Sequence, residues 1–169
     1  GATSLYWADI QTSRIERINL DGSGQASIIT SVPGVHDVSL DAANSRLYFT
    51  RHSVNPGIYR ANMDGSGVTP VVLGESGPSG TVIDPIGGQL FWVEQTGGRL
   101  RRSTTAGASV VTLRSGLASP VGLAFLADDI TAPSDPTLDS TSPLAGAWSN
   151  DNTVQVGWYG AADDVGGSG

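Results

Sequence analysis

Apolar and aromatic residues along this chain come in short bursts separated by Gly, Pro, Asp and Asn. Three bursts are versions of one pentapeptide: Leu5-Tyr6-Trp7-Ala8-Asp9, Leu47-Tyr48-Phe49-Thr50-Arg51 and Leu90-Phe91-Trp92-Val93-Glu94. They recur at steps of 42 and 43 residues. The repeat extends beyond them. Ile15-Glu16-Arg17-Ile18-Asn19-Leu20-Asp21-Gly22-Ser23-Gly24 matches Ile58-Tyr59-Arg60-Ala61-Asn62-Met63-Asp64-Gly65-Ser66-Gly67. A third copy, Leu100 to Gly107, keeps the apolar start, the Arg and the Gly. A short apolar run then follows each time (Ser27–Ile29, Val71–Leu73, Val110–Leu113), and after a turn comes another (Val35–Asp41, Thr81–Asp84, Pro120–Leu126).

Each unit therefore holds four short runs rich in Val, Ile, Tyr, Trp and Thr, the residues that suit a pleated sheet. Asp21-Gly22 and Asp64-Gly65 sit between neighbouring runs. They predict hairpins, because Gly accepts the positive φ that tight turns need. No stretch up to residue 130 has useful helical periodicity. Four antiparallel strands per ~42 residues is the pattern of a β-propeller blade. The incomplete polar alternation, as in Val71-Val72-Leu73, fits blades that are covered on both faces.

Composition narrows the function. The 169 residues carry a net charge of −7, and nine scattered Lys+Arg make no basic patch, so nucleic acid is not an expected partner. Cysteine is absent, which excludes a disulfide scaffold and Cys-based zinc sites. No run of about 18 apolar residues offers a membrane-spanning helix. The residues Gly1-Ala2-Thr3-Ser4 do not read as a signal peptide.

These motifs in register resemble the YWTD repeat, also called the LDL-receptor class B repeat, in the divergent form carried by bacterial extracellular proteins. The resemblance covers roughly residues 4–126. The first pentapeptide differs from the family form by Ala8 in place of Thr. Leu20–Gly24 and Met63–Gly67 fit the L-D-G-S-G turn, and Pro120-Val121-Gly122-Leu123-Ala124 fits the strand before a pentapeptide. Arg51 and Glu94 replace the pentapeptide Asp, and Ala106 replaces the turn Asp. The resemblance implies a six-bladed propeller with the pentapeptide on each blade's second strand. Tyr6, Trp7, Tyr48, Phe49, Phe91 and Trp92 would then pack between blades, with Asp21-Gly22 and Asp64-Gly65 as hairpin turns.

The expected fold class is all-β. Residues 1–127 form about three four-stranded blades of such a propeller, with the remaining blades expected upstream in the same chain. The phase supports a fragment, since the repeats open on a second strand and close on a first strand, Pro120–Leu126. Closure by a second copy is the rival. Residues 128–136, acidic with two Pro, read as a linker. In residues 137–169, Val154, Val156 and Trp158 alternate as in a half-buried strand. That segment resembles the start of a bacterial Ig-like or fibronectin type III-like module, an incomplete β-sandwich. The acidic close, Ala161 to Gly167, lacks the spacing of a calcium loop and reads as a turn.

No nucleophile elbow, H-E-x-x-H motif or Cys nucleophile is present, and His36 and His52 are the only histidines. No catalytic residue, metal site or cofactor is assigned. In a propeller the loops joining strands 2 to 3 and 4 to the next 1 share one face. That places Asp9, His36, Asp37, Arg51, His52 and Glu94 toward one rim, a position that commonly carries binding. The expected role is a non-catalytic protein- or glycan-binding module of a secreted or cell-surface multidomain protein. The alternatives are part of a gluconolactonase-like hydrolase or lyase propeller, which would hold a metal on its axis, or a structural spacer.

Overall fold

The computed structural model describes residues 4–126. The chain divides into two compact units, Gly1–Ala127 and Asp128–Gly169. The expected linker over 128–136 and the sandwich-like segment over 137–169 lie outside the described residues.

The described residues are all-β, and their strands fall into three separate antiparallel sheets. The first sheet is β1 (Ser4–Asp9), β2 (Arg14–Asn19) and β3 (Ala26–Ile29), in that order. The second runs β4 (Val35–Asp41), β5 (Arg46–Arg51), β6 (Gly57–Asn62), β7 (Thr69–Leu73). The third runs β8 (Pro78–Asp84), β9 (Gln89–Glu94), β10 (Arg99–Thr104), β11 (Val111–Ser115). Each sheet is an up-and-down meander, as a propeller blade requires. The pentapeptides lie on β1, β5 and β9, and β5 and β9 are second strands of their sheets.

Irregularities recur in register too. The pairing of strands 1 and 2 slips between Val35 and Val38 and again between Pro78 and Thr81. That of strands 3 and 4 slips at Ile15/Glu16, Ile58/Tyr59 and Leu100/Arg101. Each slip inserts a bulge, which adds twist at the same point of every sheet.

Two apolar layers hold the sheets together. Leu47, Phe49, Tyr59 and Ala61 of the second sheet meet Ile15, Ile29 and Val32 on one side. Tyr48, Ile58 and Val72 meet Ile83, Leu90 and Trp92 on the other. Alternate residues of β5 thus enter opposite layers, because side chains alternate across a strand. The middle sheet is covered on both faces, which is why its pattern lacks a polar face.

The hairpin turns lock each sheet to the one before. Asp21 and Asp64 accept from the backbone N–H of Ser23 and Ser66 at 2.9 Å in both cases. In the same two turns Asn19 and Asn62 donate to the serine hydroxyls, at 3.1 and 2.9 Å. Gly65 (φ +87°) sits on β3, where a Cβ would run into the Ile28 carbonyl. Gly107 (φ +83°) sits on β7 in the same way, against the Val71 carbonyl. Only glycine satisfies both the φ and the close approach. At the third turn Ala106 supplies no carboxylate, and the Thr104 hydroxyl accepts from Ala108 N–H at 3.0 Å instead.

Pro120–Leu126 joins no sheet among the described residues. It lies against the third sheet, with Phe125 stacked on Phe91 at 6.0 Å between ring centroids. A first strand needs a second strand beside it, and none follows among the described residues.

Candidate functional site

The loops on one rim are tied by main-chain bonds that repeat from blade to blade. Val32 N–H donates to Ser13 O, Gly74 N–H to Pro56 O and Leu117 N–H to Gly98 O, at 2.9, 3.0 and 2.9 Å. His52 N–H donates to Gly34 O at 2.6 Å, and Gln95 N–H to Gly77 O at 2.8 Å. These bonds hold the strand 2–3 loops and the loops entering first strands on one side, where the sequence pattern places them.

Two of the six rim residues meet there. The rings of His36, on β4, and His52, in the β5–β6 loop, lie 5.5 Å apart. His52 Nε2 is shut off from solvent and has no hydrogen-bond partner. Gly77 (φ +65°) packs against both that nitrogen and the Thr96 hydroxyl, so closely that a Cβ there would collide with them. Burial pushes the His36 imidazole below its ordinary value, and the neighbouring His52 adds to the effect. A neutral His36 imidazole is therefore favoured, with a lone pair to offer a donor.

Asp37 is adjacent, but its carboxylate faces the next blade and accepts from Thr81 N–H at 2.7 Å. Burial raises its pKa, opposed by that hydrogen bond. The backbone N–H of Asp37 donates to Thr50 Oγ1, and that hydroxyl donates across the joint to Ser79 O at 2.8 Å.

The pentapeptide end position does three different jobs. Asp9 accepts from Thr12 N–H at 3.0 Å and caps its own loop; that bond holds its pKa low. Arg51 lies over the Tyr59 ring at 5.1 Å and donates to Pro33 O at 3.2 Å. Glu94 is fully buried. It accepts from Ser76 N–H at 2.7 Å and pairs with Arg99. Burial acts to raise its pKa, but the Arg99 guanidinium and the Ser76 N–H outweigh it and the net shift is downward.

Sequence reasoning missed the partners of Glu94. Glu75 is buried beside it, raised by burial and by the nearby Glu94 carboxyl. Arg101 Nη1 donates to both Glu75 oxygens, at 3.0 and 2.8 Å, and Trp92 Nε1 donates to the second at 2.8 Å. The available signal was an acidic residue in the loop before β8, with two arginines at alternate positions of β10. Gly77 and Thr96 were missed as well, and no local motif marks them.

A shallow recess of about 370 Å³ also opens on the second blade, lined by Asn55, Pro56, Tyr59, Pro70, Leu73 and Gly74. Among the described residues, no group of three or more His, Cys, Asp or Glu side chains is placed to hold a metal ion. Among the described residues no helix is long and apolar enough to cross a membrane, a statement that does not bear on β-barrels.

No family model matches the chain. Among solved structures it is similar to a chain of a nidogen/laminin complex, at 27% identity and TM-score 0.66, over 70% of this chain and 47% of that one. It is similar to a TolB-like protein from Agrobacterium tumefaciens, at 17% identity and TM-score 0.53, over 66% of this chain and 45% of that one. A gluconolactonase from Xanthomonas campestris matches at 15% identity and TM-score 0.56, over 66% of this chain and 38% of that one. The chain thus spans less than half the length of each of these matches, and the fold they support is a β-propeller.

Proposed function

We propose that this chain is a binding module of the YWTD propeller type, part of a larger secreted or cell-surface protein, and that its rim takes a protein or glycan ligand. The observation that carries this reading is the His36–His52 pair. Both rings sit on the second sheet, where His52 N–H donates to Gly34 O, and a buried imidazole nitrogen is left without a partner. A buried polar atom without a partner costs about 1–3 kcal/mol, so the pair is held at a cost to stability that a binding role would explain. Rigid loops on a repeat scaffold suit recognition rather than chemistry. The likeness to a chain of a nidogen/laminin complex supports a protein partner.

A gluconolactonase-like reading draws on the likeness to the Xanthomonas enzyme, whose low identity speaks for fold. An axial metal site would need carboxylates or amides on the first strands. Those strands offer His36-Asp37, Ser79-Gly80 and Val121-Gly122, and Asp37 already accepts from Thr81 N–H. The binding reading therefore has the stronger support.

Surface capture on immobilised laminin and on a glycan array tests it. The expected result is saturable binding to one probe, weakened at least ~10-fold by the double substitution His36→Ala and His52→Ala, with melting unchanged. Binding that the double variant leaves intact, or no binding to either probe, refutes the rim assignment.

A further inference from the structure

We propose that the recess on the second sheet, together with Arg51 beside it, seats an extended acidic peptide. One aliphatic side chain of the peptide enters the recess, and a carboxylate two positions along pairs with Arg51. The identity of this partner rests on the protein-binding role proposed for the rim. The first observation is the recess itself. It holds about 370 Å³ and is walled by Pro56, the Tyr59 ring, Pro70 and Leu73. Ligand sites range over about 300–1,000 Å³, so this one has room for one or two side chains. The Tyr59 hydroxyl already donates to Asn55 O at 2.9 Å. Such walls suit an apolar group and leave the hydroxyls of a sugar with few partners.

The exposure of the recess belongs to the blade. The first and third sheets cover both faces of the second, yet Leu73, at the end of β7, is 57% exposed. β7 is an outer strand of its sheet, with only β6 beside it. It resists the addition of another strand. Pro70 has no N–H to donate, and the pairing of β6 with β7 slips between Ile58 and Tyr59. A ligand here is therefore held by its side chains.

The second observation is charge. Arg51 lies over the Tyr59 ring at 5.1 Å, and its Nε donates to Pro33 O. Among the described residues, no carboxylate pairs with it. The rim carboxylates are engaged elsewhere. Asp9 accepts from Thr12 N–H and Asp37 from Thr81 N–H, while Glu75 is held by Arg101 and Glu94 by Arg99. The opposite ends of the strands carry Asp21, Asp41, Asp64 and Asp84, with Arg46 among them. An acidic peptide is thus repelled from the hairpin face and drawn to the rim. The third observation is spacing. Arg51 is on β5, Tyr59 on β6, and Pro70 and Leu73 on β7, so a peptide passing from recess to guanidinium crosses one ring. Residues i and i+2 of an extended chain share one side about 7 Å apart, the reach this crossing needs.

The probe is a decapeptide in a Gly/Ser frame with one Leu and, two positions on, one Glu. Titration into the isotope-labelled full chain is followed by amide NMR. Saturable shifts are expected at Asn55, Gly57, Tyr59 and Gly74, and Leu73→Ser and Arg51→Ala should each weaken binding at least ~10-fold. Arg51→Glu should lose this peptide and gain one with Lys in place of its Glu, a reversal that a merely structural arginine would not give. No shifts at about 5 mM peptide overturn the proposal, as do shifts confined to other residues or equal affinity for the Glu and Lys peptides. If an Arg51 variant does not fold, Leu73→Ser and the Glu-to-Lys exchange in the peptide decide alone. Capture on laminin or glycan is measured with the same variants. Capture that survives Leu73→Ser and Arg51→Ala but falls with the double histidine substitution overturns the recess and leaves the rim reading intact. Peptide shifts at the recess without capture on either probe uphold the recess and refute the histidine rim assignment.

Discussion

The two faces of the blades repeat in different ways. On the face of the β2–β3 and β6–β7 hairpins, Asn19, Asp21 and Ser23 are matched by Asn62, Asp64 and Ser66, bond for bond. On the opposite rim, the equivalent positions Asp9, Arg51 and Glu94 cap a loop, stack on a tyrosine and anchor a buried ion-pair network. A hairpin turn must present the same backbone to the same neighbouring strand, so its chemistry is constrained locally. The rim position is constrained only by whatever its own loop brings near it. The scaffold is therefore held by one face and the individuality of each blade by the other.

The strongest way to break this comparison is at the seat of the turn. Gly65→Ala should cost on the order of 3 kcal/mol, from a left-handed φ and a collision with the Ile28 carbonyl. Gly22→Ala, in the equivalent turn, has the strained φ but nothing within 4 Å of the added carbon, and should cost about 1 kcal/mol. Urea denaturation of both variants measures the difference, and equal losses would mean that the seat contributes nothing. On the rim, Glu94→Ala strips the buried partner from Arg99 and frees Ser76 N–H. Discounted for the partial exposure of Arg99, the loss should be about 2 kcal/mol. Arg51→Ala, at the equivalent position, should cost about 0.5–1 kcal/mol, since it loses an exposed ring contact. If the two rim losses came out equal, the divergence of roles would be cosmetic.

The smallest effect is in pH dependence. His36 is held below 6.5, its ordinary value, first by burial and then by His52. As pH falls through that range, the unfolded chain takes up the proton before the folded one, so stability drops. Denaturation midpoints of the unmodified chain should decline from pH 7 toward pH 5.5, and His36→Gln should flatten the decline. A slope unchanged by the substitution would place the titrating group elsewhere. Glu94, shifted down, also loses stability with acid, but in the lower carboxylate range. Asp37 and Glu75, shifted up, act in the opposite sense there.

Periodicity and turn chemistry made the sheets legible from residues alone. The pentapeptide strands, the Asp-Gly hairpins and the shared side of the loops all follow from short-range patterns that repeat in register. The site was less legible because its residues are chosen by neighbours distant in the chain. Nothing local distinguishes Glu94 from a solvated acid. Its burial depends on Ser76 and Glu75 from the loop before β8, and on Arg99 and Arg101 from β10. His52 gains meaning only when β4 sets His36 beside it and Gly77, having no Cβ, packs closely on its ring. Pro120–Leu126 shows the same limit for a strand. It shares the Pro-x-Gly opening of β8, but pairing belongs to two segments at once and a pattern describes only one.

The rim stitches, Val32 to Ser13, Gly74 to Pro56 and Leu117 to Gly98, use main-chain atoms alone. No side chain is required for one loop to hold the next. A repeat can therefore be duplicated, deleted or exchanged by recombination as a cassette of about 42 residues, with its mechanical joints intact and its loop side chains free to drift. Such a scaffold can vary its loops one blade at a time, without renegotiating the framework that carries them.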